Sequence, residues 1–168
     1  MNQPTLFMPI NLTSKKIAAF VGGPGNERKV SLASGAGVAQ ALRSLGAEVT
    51  EVDVSGPDFI VPAGTEIGFN VIHGTFGEDG QIQRILESRG VAYTGEGVAG
   101  SELAIDKIAT KKRFQKRGVP TAGFEILRAG AEPTLPLPYV VKAPKEGSSV
   151  GVYIVRDETK IPETMREA

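Results

Sequence analysis

The chain has no cysteine and only one histidine, His73, among its 168 residues. Without cysteine there is neither a disulfide framework nor a thiolate nucleophile. A zinc site of the usual histidine and cysteine kind is excluded as well, because one imidazole cannot supply the ligands. We therefore assign no metal ligand in this sequence.

Long apolar runs and an excess of either charge are also missing. No apolar stretch approaches the roughly 20 residues of a membrane span, and residues 1–15, interpreted as an extension, lack the pattern of a signal peptide. Nineteen basic residues balance nineteen acidic ones, which favours neither nucleic acid nor a membrane as a partner. With 40% apolar and 23% charged residues, we expect a soluble cytoplasmic protein.

Strands and helices alternate over the first hundred residues. Strands are predicted at 17–21, 49–54, 67–72 and 91–93, and helices between 32 and 45 and between 82 and 86. Glycines at 46 and 90 follow the two helices and can end them. This alternation predicts an α/β fold, a doubly wound parallel sheet with helices on both faces.

The pattern changes near residue 104. Asp106 can cap a helix that runs to Arg117, and further strands are predicted at 124–127, 139–142 and 150–155. The short loop between the last two strands predicts an antiparallel hairpin. We expect two domains, over 16–104 and 105–168, with the second incomplete because so short a unit buries little core.

The most informative segment follows the third predicted strand. Residues 72–81 combine His73, Glu78 and Asp79 with three glycines, which permit positive φ and a close backbone approach. Polar side chains that converge at a strand end favour a binding turn. A structural histidine and acidic residues that merely favour the next helix are the alternative.

A second candidate site follows the first strand, in the glycine-rich loop 22–31. Ligands of open α/β sheets bind at the carboxyl ends of the strands. Glu27 in this loop has two interpretations: a residue that favours the helix N-terminus, or a carboxylate that receives a substrate ammonium. The local sequence leaves both open.

A third candidate is the loop 142–151, which combines Lys142 with Gly147, Ser148 and Ser149. Small residues with free amides can wrap phosphate oxygens, and a lysine adds a point charge. An ordinary hairpin turn is the alternative. The G-x-G-x-x-G at 95–100 is not interpreted as a dinucleotide site, because no acidic residue stands about 20 positions later.

Five segments, in order, resemble the D-alanine–D-alanine ligase family of ATP-grasp enzymes. They are Gly22–Leu32, His73–Gly80, Tyr93–Gly95, Asp106–Lys107 and Lys145–Gly151. The resemblance covers roughly residues 16–155. It implies a Rossmann-like pre-ATP-grasp domain followed by a truncated α+β ATP-grasp subdomain. Two details differ from the family pattern: Gly25-Asn26 in the first loop, and the position of the proline in Ala143-Pro144.

The resemblance implies that Glu27 holds the ammonium of the first D-alanine and that His73 and Glu78 organise this substrate. Ser148 and Ser149 are implied in the same site, with Glu27 and Ser148 as the catalytic pair. The ATP site is implied at a set of five residues: Lys107, Lys142, Gly147, Ser148 and Ser149. Such chemistry depends on positioning and charge neutralisation rather than on a nucleophile.

The family makes D-alanyl-D-alanine for peptidoglycan through an acylphosphate, with ATP and Mg²⁺, and the resemblance implies a homodimer. The family's Mg²⁺ ligands are expected in a C-terminal half beyond this sequence, so we expect the 168-residue chain to be inactive alone. Two alternatives stay open. One is a related ligase that forms a D-alanine–D-lactate or D-alanine–D-serine product; the other is a non-catalytic binding or dimerisation module.

Overall fold

A computed structural model describes residues 11–128, 130–147 and 150–167 of the chain. Its main sheet has four parallel strands in the order β2-β1-β3-β4. The strands are β1 (Lys16–Gly22), β2 (Glu48–Val54), β3 (Ile67–Asn70) and β4 (Ala92–Tyr93). The predicted α/β fold with a parallel sheet is confirmed.

Strand β1 lies in the centre of the sheet and is buried from Ile17 to Gly22. On one face, Ile17 packs with Leu42 of α1 (Arg28–Ser44). On the other face, Phe20 packs with Ile82 and Leu86 of α2 (Gln81–Ser88). The strand is apolar on both sides because helices cover both faces, as the doubly wound pattern predicts.

The chain changes direction at β1, which has β2 on one side and β3 on the other. Helix α1 connects β1 to β2, and the chain then crosses to place β3 on the opposite side of β1. Such a switch point opens a crevice outside the carboxyl ends of the two strands. The loops after β1 and β3 therefore meet there.

Two further helices follow the sheet, α3 (Val98–Ile105) and α4 (Lys107–Arg117). Asp106 caps α4 as predicted, since its carboxylate accepts hydrogen bonds from the amides of Ile108 and Ala109. Helix α3 was not predicted, because its Gly100 has low helix propensity. Within the described residues, no helix is both long and apolar enough to cross a membrane.

The C-terminal part contains an antiparallel pair, β5 (Tyr139–Lys142) and β6 (Val152–Val155), as predicted. A 3₁₀ turn (Glu158–Lys160) and helix α5 (Ile161–Glu167) follow. The division into domains at residue 104 stays a prediction.

The strand predicted at 124–127 is wrong, since this segment is irregular. The carboxylate of Glu125 accepts hydrogen bonds from the backbone amides of Thr134 and Leu135. Glu125 thus connects this irregular segment to the backbone of residues 134–135. Strand β3 also ends earlier than predicted, at Asn70, whose side chain accepts from the amide of Ile72 and turns the chain.

Candidate functional site

The crevice at the switch point is held together by one buried hydroxyl, that of Ser31. Its oxygen accepts a hydrogen bond from the amide of Gly22 at 2.8 Å and donates one to the carbonyl of Val71 at 2.7 Å. Ser31 is fully buried. It therefore fixes the end of β1 relative to the chain after β3. Sequence reasoning missed this role, because a serine one turn into a helix carries no distinctive pattern.

Glu27 lies immediately before α1 and is half-buried. It is the N-cap residue of this helix, but its side chain makes no capping hydrogen bond, so its contribution to the helix N-terminus is limited to charge. The carboxylate lies against Gly74: a Cβ placed on that glycine would collide with Oε2 of Glu27. A Cβ on Gly147 would lie 3.1 Å from the same oxygen. Glycines at both positions thus let two loops approach this carboxylate.

His73 is half-buried in the turn after β3, and its ring connects two elements. Nε2 lies 3.0 Å from the hydroxyl oxygen of Ser34 in α1, and Nδ1 lies 3.8 Å from Oε1 of Glu78. Glu78 is about half exposed, so its carboxylate stays accessible to a ligand. The structure therefore brings His73 and Glu78 together, and Gly74 next to His73 contacts Glu27.

Asp79 has a structural role in the same turn. Its carboxylate accepts hydrogen bonds from the amides of Phe76 and Gln81 and from the side-chain amide of Gln81. These bonds hold Phe76 at a φ of 77°, which is unfavourable for a residue other than glycine. Phe76 is buried in the core at 3% exposure, and this burial offsets the cost.

The loop before residue 148 is fastened to the start of α4. Lys107 donates its backbone amide to the carbonyl of Pro144 and its ammonium to the carbonyl of Glu146. The ammonium of Lys145 lies 3.8 Å from the carboxylate of Asp106. These contacts place Gly147 beside Glu27.

The remaining candidate residues for the nucleotide site are Lys142, Ser148 and Ser149. Lys142 is exposed at the end of β5. Ser148 and Ser149 lie outside the described residues, so their assigned roles stay predictions. In Asp106, the amides of Ala109 and Ile108 hold the pKa of the carboxyl below its ordinary value, with help from the charge of Lys145.

A cleft of about 460 Å³ opens beside His73 and Glu78. Its walls come from the ends of β3 and β4 and from helices α2 and α3; polar wall residues include Asn70, Gln83, Thr94 and Ser101. Of these, the sequence indicated only Thr94, within the segment Tyr93–Gly95; the others become its neighbours only through the parallel pairing of β3 with β4. Within the described residues, no group of three or more histidine, cysteine or acidic side chains could hold a metal ion.

Comparison with known proteins gives the chain's relatives, although no protein-family model matches it. It is 45% identical over 163 residues to the D-alanine–D-alanine ligase of Syntrophotalea carbinolica, covering 94% of this chain and 53% of that relative. The ligase of Citrifermentans bemidjiense is 46% identical over 161 residues, with the same coverage. The chain thus spans about half the length of the curated relatives it matches.

Solved structures of D-alanine–D-alanine ligases have the same fold as this chain. D-alanine–D-alanine ligase from Bacillus anthracis superposes with a TM-score of 0.79 at 27% identity, covering 91% of this chain and 53% of that one. The enzyme from Helicobacter pylori gives a TM-score of 0.77 at 19% identity, covering 92% and 60%. At that identity the likeness supports the fold alone. The resemblance to D-alanine–D-alanine ligases inferred from the sequence motifs is confirmed.

Proposed function

We propose that this homologue of D-alanine–D-alanine ligases carries the first amino-acid site, and part of the ATP site, of an enzyme that joins two D-alanines. The observation that carries the proposal is the position of the Glu27 carboxylate between Gly74 and Gly147, one from each functional loop. About half of each curated relative matches nearly all of this chain, which supports the same assignment.

The amino-acid site is suited to an ammonium group. Glu27 contributes a half-buried carboxylate, and Glu78 contributes a second one beside the ring of His73. Charge-assisted hydrogen bonds from an ammonium to carboxylates are stronger than neutral ones. We assign Glu27 to the ammonium of the first D-alanine, and His73 and Glu78 to its orientation.

The ATP phosphates would be held by the ammonium groups of Lys107 and Lys142 and by the loop of Gly147, Ser148 and Ser149. Lys107 fits this role because its ammonium reaches the carbonyl of Glu146 in the same loop. ATP supplies the phosphoryl group that activates the carboxylate of the first D-alanine; the amine of the second then displaces phosphate. The chain's contribution is to orient the carboxylate and neutralise charge.

Mg²⁺ does not fit the described residues, since they hold no suitable cluster of acidic side chains. From the sequence similarity to the D-alanine–D-alanine ligases, we also propose that this protein is a cytoplasmic homodimer. Sedimentation of the purified chain would measure its oligomeric state.

A chimaera tests the proposed function. The chain replaces the segment that it matches in the Syntrophotalea carbinolica ligase, and phosphate release and dipeptide formation are measured with D-alanine and ATP. Activity that disappears in Glu27→Gln but persists in Glu48→Gln, an exposed carboxylate of β2, supports the proposal.

Two results would oppose it. A folded chimaera that forms no D-alanyl-D-alanine, together with a chain that does not bind D-alanine, would favour a non-catalytic module. Formation of a D-alanine–D-lactate or D-alanine–D-serine product in preference would instead identify a related ligase.

A further inference from the structure

We infer that Ser34 is a positioning residue for His73: its hydroxyl accepts a hydrogen bond from Nε2–H and so fixes which ring nitrogen carries the proton. The inference rests on the proposed function only for its consequence, the orientation of D-alanine by His73. Ser34 is half-buried in α1, and its oxygen lies 3.0 Å from Nε2.

The direction of this hydrogen bond follows from the other neighbours of the hydroxyl. The oxygen of Ser34 also lies 2.8 Å from the carbonyl of Val30 and 3.2 Å from the carbonyl of Ser31. A hydroxyl has one proton to donate and two lone pairs that accept. Carbonyl oxygens can only accept, whereas an imidazole nitrogen can donate. We infer that Ser34 donates its one proton to the nearer carbonyl, that of Val30, and that Nε2–H of His73 donates to the oxygen of Ser34.

The consequence concerns the opposite ring nitrogen. With the proton on Nε2, the neutral ring presents the lone pair of Nδ1 on the side of Glu78, whose Oε1 is 3.8 Å away. A lone pair beside a carboxylate disfavours an anion and favours a donor such as an ammonium. Ser34 would thus set the chemical preference of the site without touching the substrate.

The chain offers an unambiguous measurement, because His73 is its only histidine. Nitrogen-15 spectra of the imidazole are recorded near pH 9, well above the ordinary histidine pKa of about 6.5. In the wild-type chain we expect one tautomer, with a protonated Nε2, and a visible Nε2–H proton signal. Ser34→Ala should lose that proton signal and move the two nitrogen shifts toward each other, while Ser34→Thr should restore them.

Ser44→Ala is the matched control. Ser44 lies in the same helix and likewise donates to a backbone carbonyl, that of Ala41 at 2.7 Å, but it is exposed. Its replacement should leave the imidazole spectrum unchanged. A wild-type ring protonated on Nδ1, or a Ser34→Ala spectrum equal to that of Ser44→Ala, would overturn the inference.

The chimaera separates this inference from the proposed function. Ser34→Ala should raise the KM for D-alanine roughly 3- to 10-fold, the worth of one ordinary hydrogen bond, with ATP use unaffected. If Ser34→Ala changes the spectrum of the chain while the chimaera has no ligase activity, the proposed function is refuted and the role of Ser34 is kept. If the chimaera is active but Ser34→Ala leaves the spectrum of the chain unchanged, the proposed function is supported and the role of Ser34 is refuted.

Discussion

The ammonium of Lys107 donates a hydrogen bond to the carbonyl oxygen of Glu146 at 2.5 Å. The first residue of α4 thereby holds the loop whose Gly147 approaches the Glu27 carboxylate. The same ammonium is our candidate for an ATP phosphate. A lysine that serves both would link nucleotide binding to the position of the loop over the amino-acid site.

Removing this ammonium should loosen the loop. We expect Lys107→Met to speed amide exchange at residues 145–147 about three- to tenfold, which corresponds to one hydrogen bond of ordinary strength. Exchange in β1 should not change. Lys116→Met, an exposed lysine in the last turn of the same helix, is the control. Equal loop exchange in the two variants would show that Lys107 does not hold the loop.

Substitutions of Glu27 and Lys142 should impair the use of different substrates by the active chimaera. Glu27→Gln removes the charge assigned to an ammonium, so the KM for the first D-alanine should rise about ten- to hundredfold, as for a charge-assisted hydrogen bond. Lys142→Ala should mainly raise the KM for ATP. Steady-state kinetics in which each substrate is varied separately would measure both. Identical profiles for the two variants would refute the assigned roles.

Much of the fold was accessible from the sequence because its signals are local. The apolar run at 17–21, the glycine after each helix and the Asp106 cap all act within a few residues. The strand predicted at 124–127 is not formed; in this segment the carboxylate of Glu125 instead binds amides nine and ten residues away. Periodicity does not report such a contact.

The residues of the candidate site were likewise only partly predictable from the sequence. His73, Glu78 and Glu27 could be found because each follows a strand or starts a helix, where side chains converge in parallel sheets. Ser31 and Ser34 could not, because their partners Val71 and His73 lie about 40 residues away and are brought close only by the pairing of β3 with β1. Tertiary contacts of this kind require the strand order.

Ser31 should matter more for stability than any other serine of α1. Ser31→Ala leaves the amide of Gly22 and the carbonyl of Val71 without their buried partner. An unsatisfied buried group costs about 1–3 kcal/mol, so we expect a loss in that range in urea unfolding. Ser44→Ala, which changes an exposed hydroxyl of the same helix, should lie within about 0.5 kcal/mol of the wild type. Similar losses in both would contradict the bridging role.

The Asp106 cap should make stability depend on pH in a defined window. The amides of Ala109 and Ile108 lower the pKa of this carboxyl below its ordinary 3.8. Because the folded pKa is the lower one, the stabilisation is fully present above pH 3.8 and is lost as the pH falls through the folded pKa. At neutral pH, Asp106→Ala should cost about 1 kcal/mol, the usual worth of an N-cap.

Urea unfolding of the wild type and Asp106→Ala from neutral pH to about pH 2 would follow this difference. The difference in free energy of unfolding between the two proteins should be constant down to about pH 4 and should become smaller below that pH. Asp58→Ala, an exposed acidic residue outside any helix, provides the comparison. A gap that stays constant through the acid range would show that the charge of Asp106 does not contribute to the cap.

The contact between Gly74 and Glu27 can be separated from backbone strain by a pair of alanine substitutions. Gly74 has a φ of 63° and Gly90 a φ of 67°, so alanine at either position adopts the same unfavourable left-handed conformation. A Cβ at Gly90 would meet nothing within 4 Å, whereas one at Gly74 would collide with the Glu27 carboxylate. Both variants should lose about 1–2 kcal/mol of stability from the strain.

Only Gly74→Ala should impair the use of D-alanine, because only there must the Glu27 carboxylate move. In the chimaera we expect its KM for D-alanine to rise about tenfold or more, in the range for a lost charge-assisted hydrogen bond, while Gly90→Ala stays close to the wild type. Kinetics at a temperature well below both unfolding midpoints would keep stability from contributing. An equal KM in the two variants would mean that the position of Glu27 against Gly74 has no part in binding the amino acid.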